Sequence, residues 1–237
     1  MRLLASLLLL VFSATGFAQR SSVDVAGGVH YSYRTLSTDQ DDGNVANPNE
    51  QENGILTGHL GIHYRRQLAE RLFLRFGVRL SALGYASHHS GLRWGSQHDG
   101  AVGYDPALDP TLPASLAARK DLFFLELPLL VHRTFGGGRW IPFLEAGLLP
   151  GAYLTTRSRL SDPSREEVFY FDERQGGVHR FHLGAAFAVG TDCVLSDRYR
   201  LFVQSNLRYQ LSPVADGPVR ERLYAGGVSL GLRRTFP

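Results

Sequence analysis

From residue 23 onward the chain alternates apolar and polar positions with a period of two, the mark of strands whose two faces meet different surroundings. In residues 23–33, Val23, Val25, Val29, Tyr31 and Tyr33 share one parity, while Asp24, His30 and Ser32 share the other. The pattern returns in 56–65, where Leu56, Leu60, Ile62 and Tyr64 oppose His59, His63 and Arg65. In 72–81, Leu72, Leu74, Phe76, Val78 and Leu80 oppose Arg75 and Arg79. It recurs over 123–132, 140–154, 180–190, 200–211 and 221–236, with 140–154 apolar on both parities apart from Glu145. This predicts eight strands, each as long as the roughly 9–11 residues that a membrane-crossing strand needs.

The connections sort by length. Leu36–Asn53, Ala86–Arg119 and Arg157–Gly177 are long; Gln67–Glu70, Phe135–Arg139 and Thr191–Asp197 are short; Ser212–Pro218 is intermediate. Long and short connections alternate, as they do where one end of an antiparallel barrel carries turns and the other carries loops. The expected fold is therefore all-β: an eight-stranded antiparallel up-and-down transmembrane β-barrel.

That fold accounts for the stretch KDLFFLELPLLVHRTFGGG at 120–138, where Glu126 and Pro128 interrupt an apolar run. Lipid would touch Phe123, Leu125, Leu127, Leu129 and Val131, and Glu126 would point into the lumen. Eight strands enclose only their own side chains, and a buried charge needs a partner. The inward parity predicts a polar interior with an ionic network of Arg75, Arg79, Glu126, Glu145, Arg208 and Arg233. Glu126 is expected to pair with Arg75 or Arg79, and Glu145 with an arginine or histidine. Pro128, which has no amide proton, predicts a bulge or a missing ladder bond. Outward aromatics fall near strand ends, where rings settle at a membrane interface. Tyr31, Tyr33, Tyr209 and Tyr224 lie toward the loop end, and Tyr64, Trp140 and Phe236 toward the turn end.

Composition narrows the function classes. A net charge of +3 with no basic run beside aromatic positions argues against a nucleic-acid partner. Arg2, the apolar run Leu3–Phe12 and the small-x-small site Gly16-Phe17-Ala18 read as a signal peptide over residues 1–18, leaving 19–237 as the barrel domain. Cys193 is the single cysteine and can form no internal disulfide. Candidate chemistry is sparse. His30 with Ser32, and His88-His89-Ser90, are the nearest approach to a nucleophile and base at a barrel rim. His59 and His63 lie roughly 13 Å apart on one strand, too far for one metal. Asp39-Gln40-Asp41-Asp42-Gly43 lacks the terminal glutamate of a calcium loop but could hold a divalent cation loosely, bridging to lipopolysaccharide phosphates. No cofactor is expected.

Two motifs suggest a family. LFFLELPLL followed by RWIPFLEAGLLPGAYL, with Leu125, Glu126, Leu127, Pro128, Pro142 and Gly147, resembles the central strand pair of the PorT-type outer-membrane β-barrel proteins of Bacteroidota, and GGVSLGLRRTF resembles their closing strand. The resemblance implies an outer-membrane location, contact with outer-membrane lipid and lipopolysaccharide, and assembly by the barrel assembly machinery, for which an outward aromatic near the end (Phe236) is the usual recognition feature. It carries no assigned activity. The function expected is a non-enzymatic structural or interaction role, with a protein partner at the extracellular loops. The alternatives are a subunit of a PorT-like secretion apparatus and a lipid A-modifying enzyme.

Overall fold

The computed structural model describes residues 20–38, 51–99, 103–110, 112–162, 167–173, 178–215 and 219–236. Residues 1–18, read from the sequence as a signal peptide, and the run Asp39–Gly43 lie outside the described residues. The strands are β1 (Ser21–Thr38), β2 (Glu52–Ala69), β3 (Leu72–Ser90), β4 (His98–Asp99), β5 (Gly103–Tyr104), β6 (Ser115–Glu126), β7 (Leu129–Thr134), β8 (Trp140–Asp162), β9 (Glu167–Glu173), β10 (Phe181–Val194), β11 (Tyr199–Gln210) and β12 (Val219–Phe236). Each wall strand pairs antiparallel with its neighbours in chain order, β12 pairs with β1, and β8 with β10, so the sheet closes into a ring with no free edge. β6 and β7 occupy one place in that ring, between β3 and β8, which makes eight walls. β9 extends the wall beyond the ring by pairing with the end of β8, and β4–β5 is a small hairpin between β3 and β6.

The break between β6 and β7 falls at Leu127-Pro128. Glu126 stands opposite Gly151 and Leu129 opposite Leu148, so the register runs through without an inserted residue. Leu127 N donates to Pro150 O at 2.8 Å, and the ladder lapses at Pro128, which has no proton to give. The bulge of this wall sits instead between Phe123 and Phe124, where the register against β8 shifts by one.

Outside the barrel, a belt of apolar side chains faces the surroundings: Val29, Leu60, Val78, Leu129, Val203 and Leu230 are each about half or more exposed. Inside, the opposite parity is buried, as a period of two demands. Curvature this tight leaves no room for a Cβ where two walls press together. One added at Gly227 would lie 2.1 Å from Val29 O, and at Gly77 2.1 Å from Ile62 O.

Several strands outrun the segments marked by alternation. β3 continues to Ser90 and β6 begins at Ser115, so the two ends of Ala86–Arg119 are wall and not loop. β8 and β9 take up much of Arg157–Gly177, and β10 runs to Val194, through most of what reads as a turn at Thr191–Asp197. At about 3.3 Å per residue and a tilt near 45°, the 18 residues of β1 span roughly 40 Å along the axis, more than a hydrocarbon core of about 30 Å. The excess lies at the loop end, where no hydrocarbon remains to impose alternation.

Candidate functional site

The lumen is filled in layers. Nearest the turns, Asp192 on β10 receives both contacts of Arg233 Nη1, at 2.5 and 2.6 Å. Arg65 donates through Nε to Ser22 Oγ at 3.1 Å, and its Nη1 lies 3.0 Å from His132 Nε2. A guanidinium can only donate, so His132 accepts at Nε2 and carries its proton on Nδ1. That nitrogen sits 3.2 Å from Glu145 Oε2. Arg75 bridges the next acids, donating to Asp24 Oδ1 at 2.6 Å and Glu145 Oε1 at 2.8 Å, and His63 Nδ1 lies 3.0 Å from Asp24.

The next layer centres on Glu126, which is fully buried. Arg79 donates to its Oε2 at 2.9 Å, Ser81 Oγ to the same oxygen at 2.9 Å, and Arg208 to Oε1; His182 Nε2 is 3.4 Å away. Arg79, not Arg75, is thus the β3 partner of Glu126. Arg79 and Glu126 stand directly across from one another, whereas Arg75 is four residues nearer the turns and meets Glu145. All six residues of the expected network lie in the lumen, divided between these two layers.

Above Glu126 the interior changes character. Leu83, Leu122, Phe124 and Leu223 are each no more than about 1% exposed and pack with Tyr85, Val214 and Ala225 into an apolar plug. The polar interior expected from the sequence therefore gives way to apolar packing in the loop half. The plug is capped by Arg34, which stacks on Tyr85 at 3.7 Å and binds Glu52 and, at 2.9 Å, Glu221. Between the layers a cavity of about 20 Å³, bordered by His59, Arg75, Arg79 and Gln204, has room for about one water.

The outward aromatics form rows. Tyr33 and Tyr209 flank Tyr224 across three neighbouring strands, and Tyr33 meets Tyr224 edge-on at 5.7 Å. Tyr31 lies 54% exposed beside them. At the turn end Tyr64 packs on Phe76 at 5.3 Å, Trp140 is 59% exposed, and Phe236 pairs with Ser21 and lies under Arg234.

The catalytic candidates are dispersed. His30 Nε2 contacts Ala82 O at 2.9 Å, and Ser32 Oγ donates to Gly84 O while accepting from Gly84 N; both residues are buried in the lumen. His88 and His89 lie on β3 across from Ala117 and Leu116. His59 stacks on His30 at 5.4 Å while His63 turns to Asp24, so the two belong to different clusters. Asp192 is a lumen acid that the sequence pattern places in a turn. Carrying the β10 parity on from His182, Gly184, Ala186 and Ala188 reaches it at the fifth step.

No protein-family model matches the sequence, and no curated protein matches it, so the PorT-type resemblance rests on the hairpin and closing-strand motifs alone. Among solved structures the chain is similar to the neisserial surface protein A (12% identity over 93% of this chain and 100% of that one, TM-score 0.45). It is also similar to the outer membrane protein OprG of Pseudomonas aeruginosa (12%, 91% and 96%, 0.44) and to the outer membrane protease OmpT of Escherichia coli (8%, 94% and 100%, 0.44).

Proposed function

We propose that the protein is a non-conducting outer-membrane barrel with a structural or interaction role, carried by the loop end that rises beyond the apolar belt. The observation that carries this is the inversion of the molecule: exposed Leu, Val and Ile ring its outside, while the inside holds paired charges under an apolar plug. In hydrocarbon every backbone polar group must be satisfied within the protein, and a closed ring does that. Outer-membrane lipid and lipopolysaccharide cover the belt, the barrel assembly machinery inserts it, and a protein partner engages the loops. Two measurements test the reading together. The mature protein should leave membranes only with detergent, and in planar bilayers it should give no stable conductance steps. Recovery as a detergent-free monomer, or large steady steps, refutes it.

The central hairpin's likeness to the PorT-type pattern favours a second reading, a subunit of a secretion apparatus. Co-purification of a multiprotein complex after gentle extraction supports it, and isolation of the barrel alone counts against it. A lipid A-modifying role finds no support in His30 and Ser32, whose polar atoms are buried and bonded. Unchanged lipid A masses on deletion of the protein would agree.

A further inference from the structure

We propose that the turn-side mouth of the barrel binds a phosphate group. The cavity there measures about 400 Å³ and opens beneath the β2–β3 and β7–β8 turns, with Arg20, Arg65, Arg71 and Arg200 among its lining and Glu70 as the acid at its edge. A second cavity of about 650 Å³ adjoins it through Arg20, Arg200 and Thr235.

The charge at this mouth is out of balance. Arg65, Arg200 and Arg233 all approach one carboxylate, Asp192. Arg233 takes both of its oxygens, leaving Arg65 and Arg200 at 3.8 and 3.9 Å, beyond hydrogen-bond reach. At the rim Arg71 has Glu70 at 3.9 Å, and Arg198 stands with Asp197 at the adjoining cavity. Elsewhere in the lumen the acids keep pace: Arg75 has Asp24 and Glu145, and Arg79 and Arg208 have Glu126. The surplus is therefore local to the mouth.

Its geometry selects phosphate over carboxylate. The cationic groups come from different walls, Arg65 from β2 and Arg200 from β11, with Arg20 just before β1. The hydroxyl residues Ser22, Thr134 and Thr235 border the same space, and Thr235 Oγ has no hydrogen-bond partner among the described residues. Donors converging from several directions suit a tetrahedral dianion, whereas a planar carboxylate uses one edge. Arg65 is fixed in place by Ser22 and His132, so part of the site is formed before any ligand arrives. The phosphate could belong to a solute or to a lipid headgroup at the adjoining leaflet.

The test uses the full barrel in a maltoside detergent, which carries no phosphate. Inorganic phosphate should raise the unfolding temperature saturably, and chloride at equal ionic strength should not. Arg200→Gln should weaken the affinity about tenfold, the loss of one charged hydrogen bond. Arg20→Gln, at an exposed position that leaves the wall untouched, should weaken it in the same direction, and Arg93→Gln at the loop end should leave it unchanged. A second arm places the protein in phosphatidylcholine nanodiscs with and without phosphatidic acid and counts retained lipid by native mass spectrometry. Phosphate binding without retention identifies a solute. Retention of phosphatidic acid that is lost in Arg200→Gln identifies a headgroup. Absence of saturable binding in both arms overturns the site, as does binding that survives both substitutions.

Discussion

The two halves of the lumen fill the same cylinder by opposite means. Toward the turns, charge is matched to charge: Asp24, Glu126, Glu145 and Asp192 are held by arginines at hydrogen-bond distance. Toward the loops, Leu83, Leu122, Phe124 and Leu223 exclude water without a polar contact. Buried ion pairs gain little net free energy, because desolvation offsets their attraction, yet removing one partner strands the other. Apolar packing contributes in proportion to the surface it hides. The ionic half should therefore be brittle to single changes and tolerant of concerted ones, and the apolar half should respond in graded fashion to volume.

The largest effect is expected at Glu126. Glu126→Leu leaves Arg79 and Arg208 facing each other in the interior without their acid. The expected loss is about 3–5 kcal/mol, read by urea unfolding in phospholipid vesicles through Trp140 fluorescence. A loss below about 1 kcal/mol would mean that water already reaches this layer.

In the plug, Leu223→Ala removes a fully buried side chain and should cost about 2–4 kcal/mol in the same assay. Leu223→Met, which keeps the volume, should cost less than about 1.5 kcal/mol. The Ala variant should also remain non-conducting, because the ionic layers below it stay closed. Stable current through it would assign the seal to the plug alone.

How much of this contrast the sequence displays depends on depth. Within the belt, lipid forces every second residue to be apolar, so the inward parity exposes Arg75, Arg79, Glu126, Glu145, Arg208 and Arg233 to view. Above the belt that force ends. Leu83, Leu122 and Leu223 hold inward positions, but their neighbours Gly84, Asp121 and Arg222 offer no lipid-facing contrast to reveal the parity. The same loss of contrast hides the loop-side ends of β3 and β8 and, below the belt on the turn side, the end of β10 with Asp192. The Glu126–Arg79 pairing follows from the β3–β6 register, which alternation narrows to Arg75 or Arg79 and cannot decide without the geometry of the long connection between those two strands.

A further variant sharpens the contrast by replacing the Glu126 cluster as a unit. Glu126→Leu combined with Arg79→Met and Arg208→Met strands no charge. It should recover most of the stability lost by Glu126→Leu alone and fall within about 2 kcal/mol of the parent, since apolar replacements of whole ion clusters are often neutral or stabilising. Failure to recover would mean that Ser81 and His182, left behind around the new side chains, depend on the carboxylate as much as the arginines do.

The smallest effect is expected from the same chemical pair placed in water. Arg119 binds Asp121 through Nε and Nη2, both at 2.9 Å, a forked contact like those in the lumen, but its side chain is 41% exposed at the loop end of β6. Arg119 also donates to Leu56 O at 3.1 Å, so the side chain is held by more than its charge. Water solvates either ion when the other is removed, and no desolvated partner remains. Arg119→Gln should therefore cost less than about 1 kcal/mol, and the difference should shrink further in about 1 M salt, where the screening length is about 3 Å. The penalty of Glu126→Leu should persist in that salt, because its stranded arginines lie where counterions do not reach. If both effects faded together, the Glu126 layer would have to be open to solvent, and the plug above it would not be a seal.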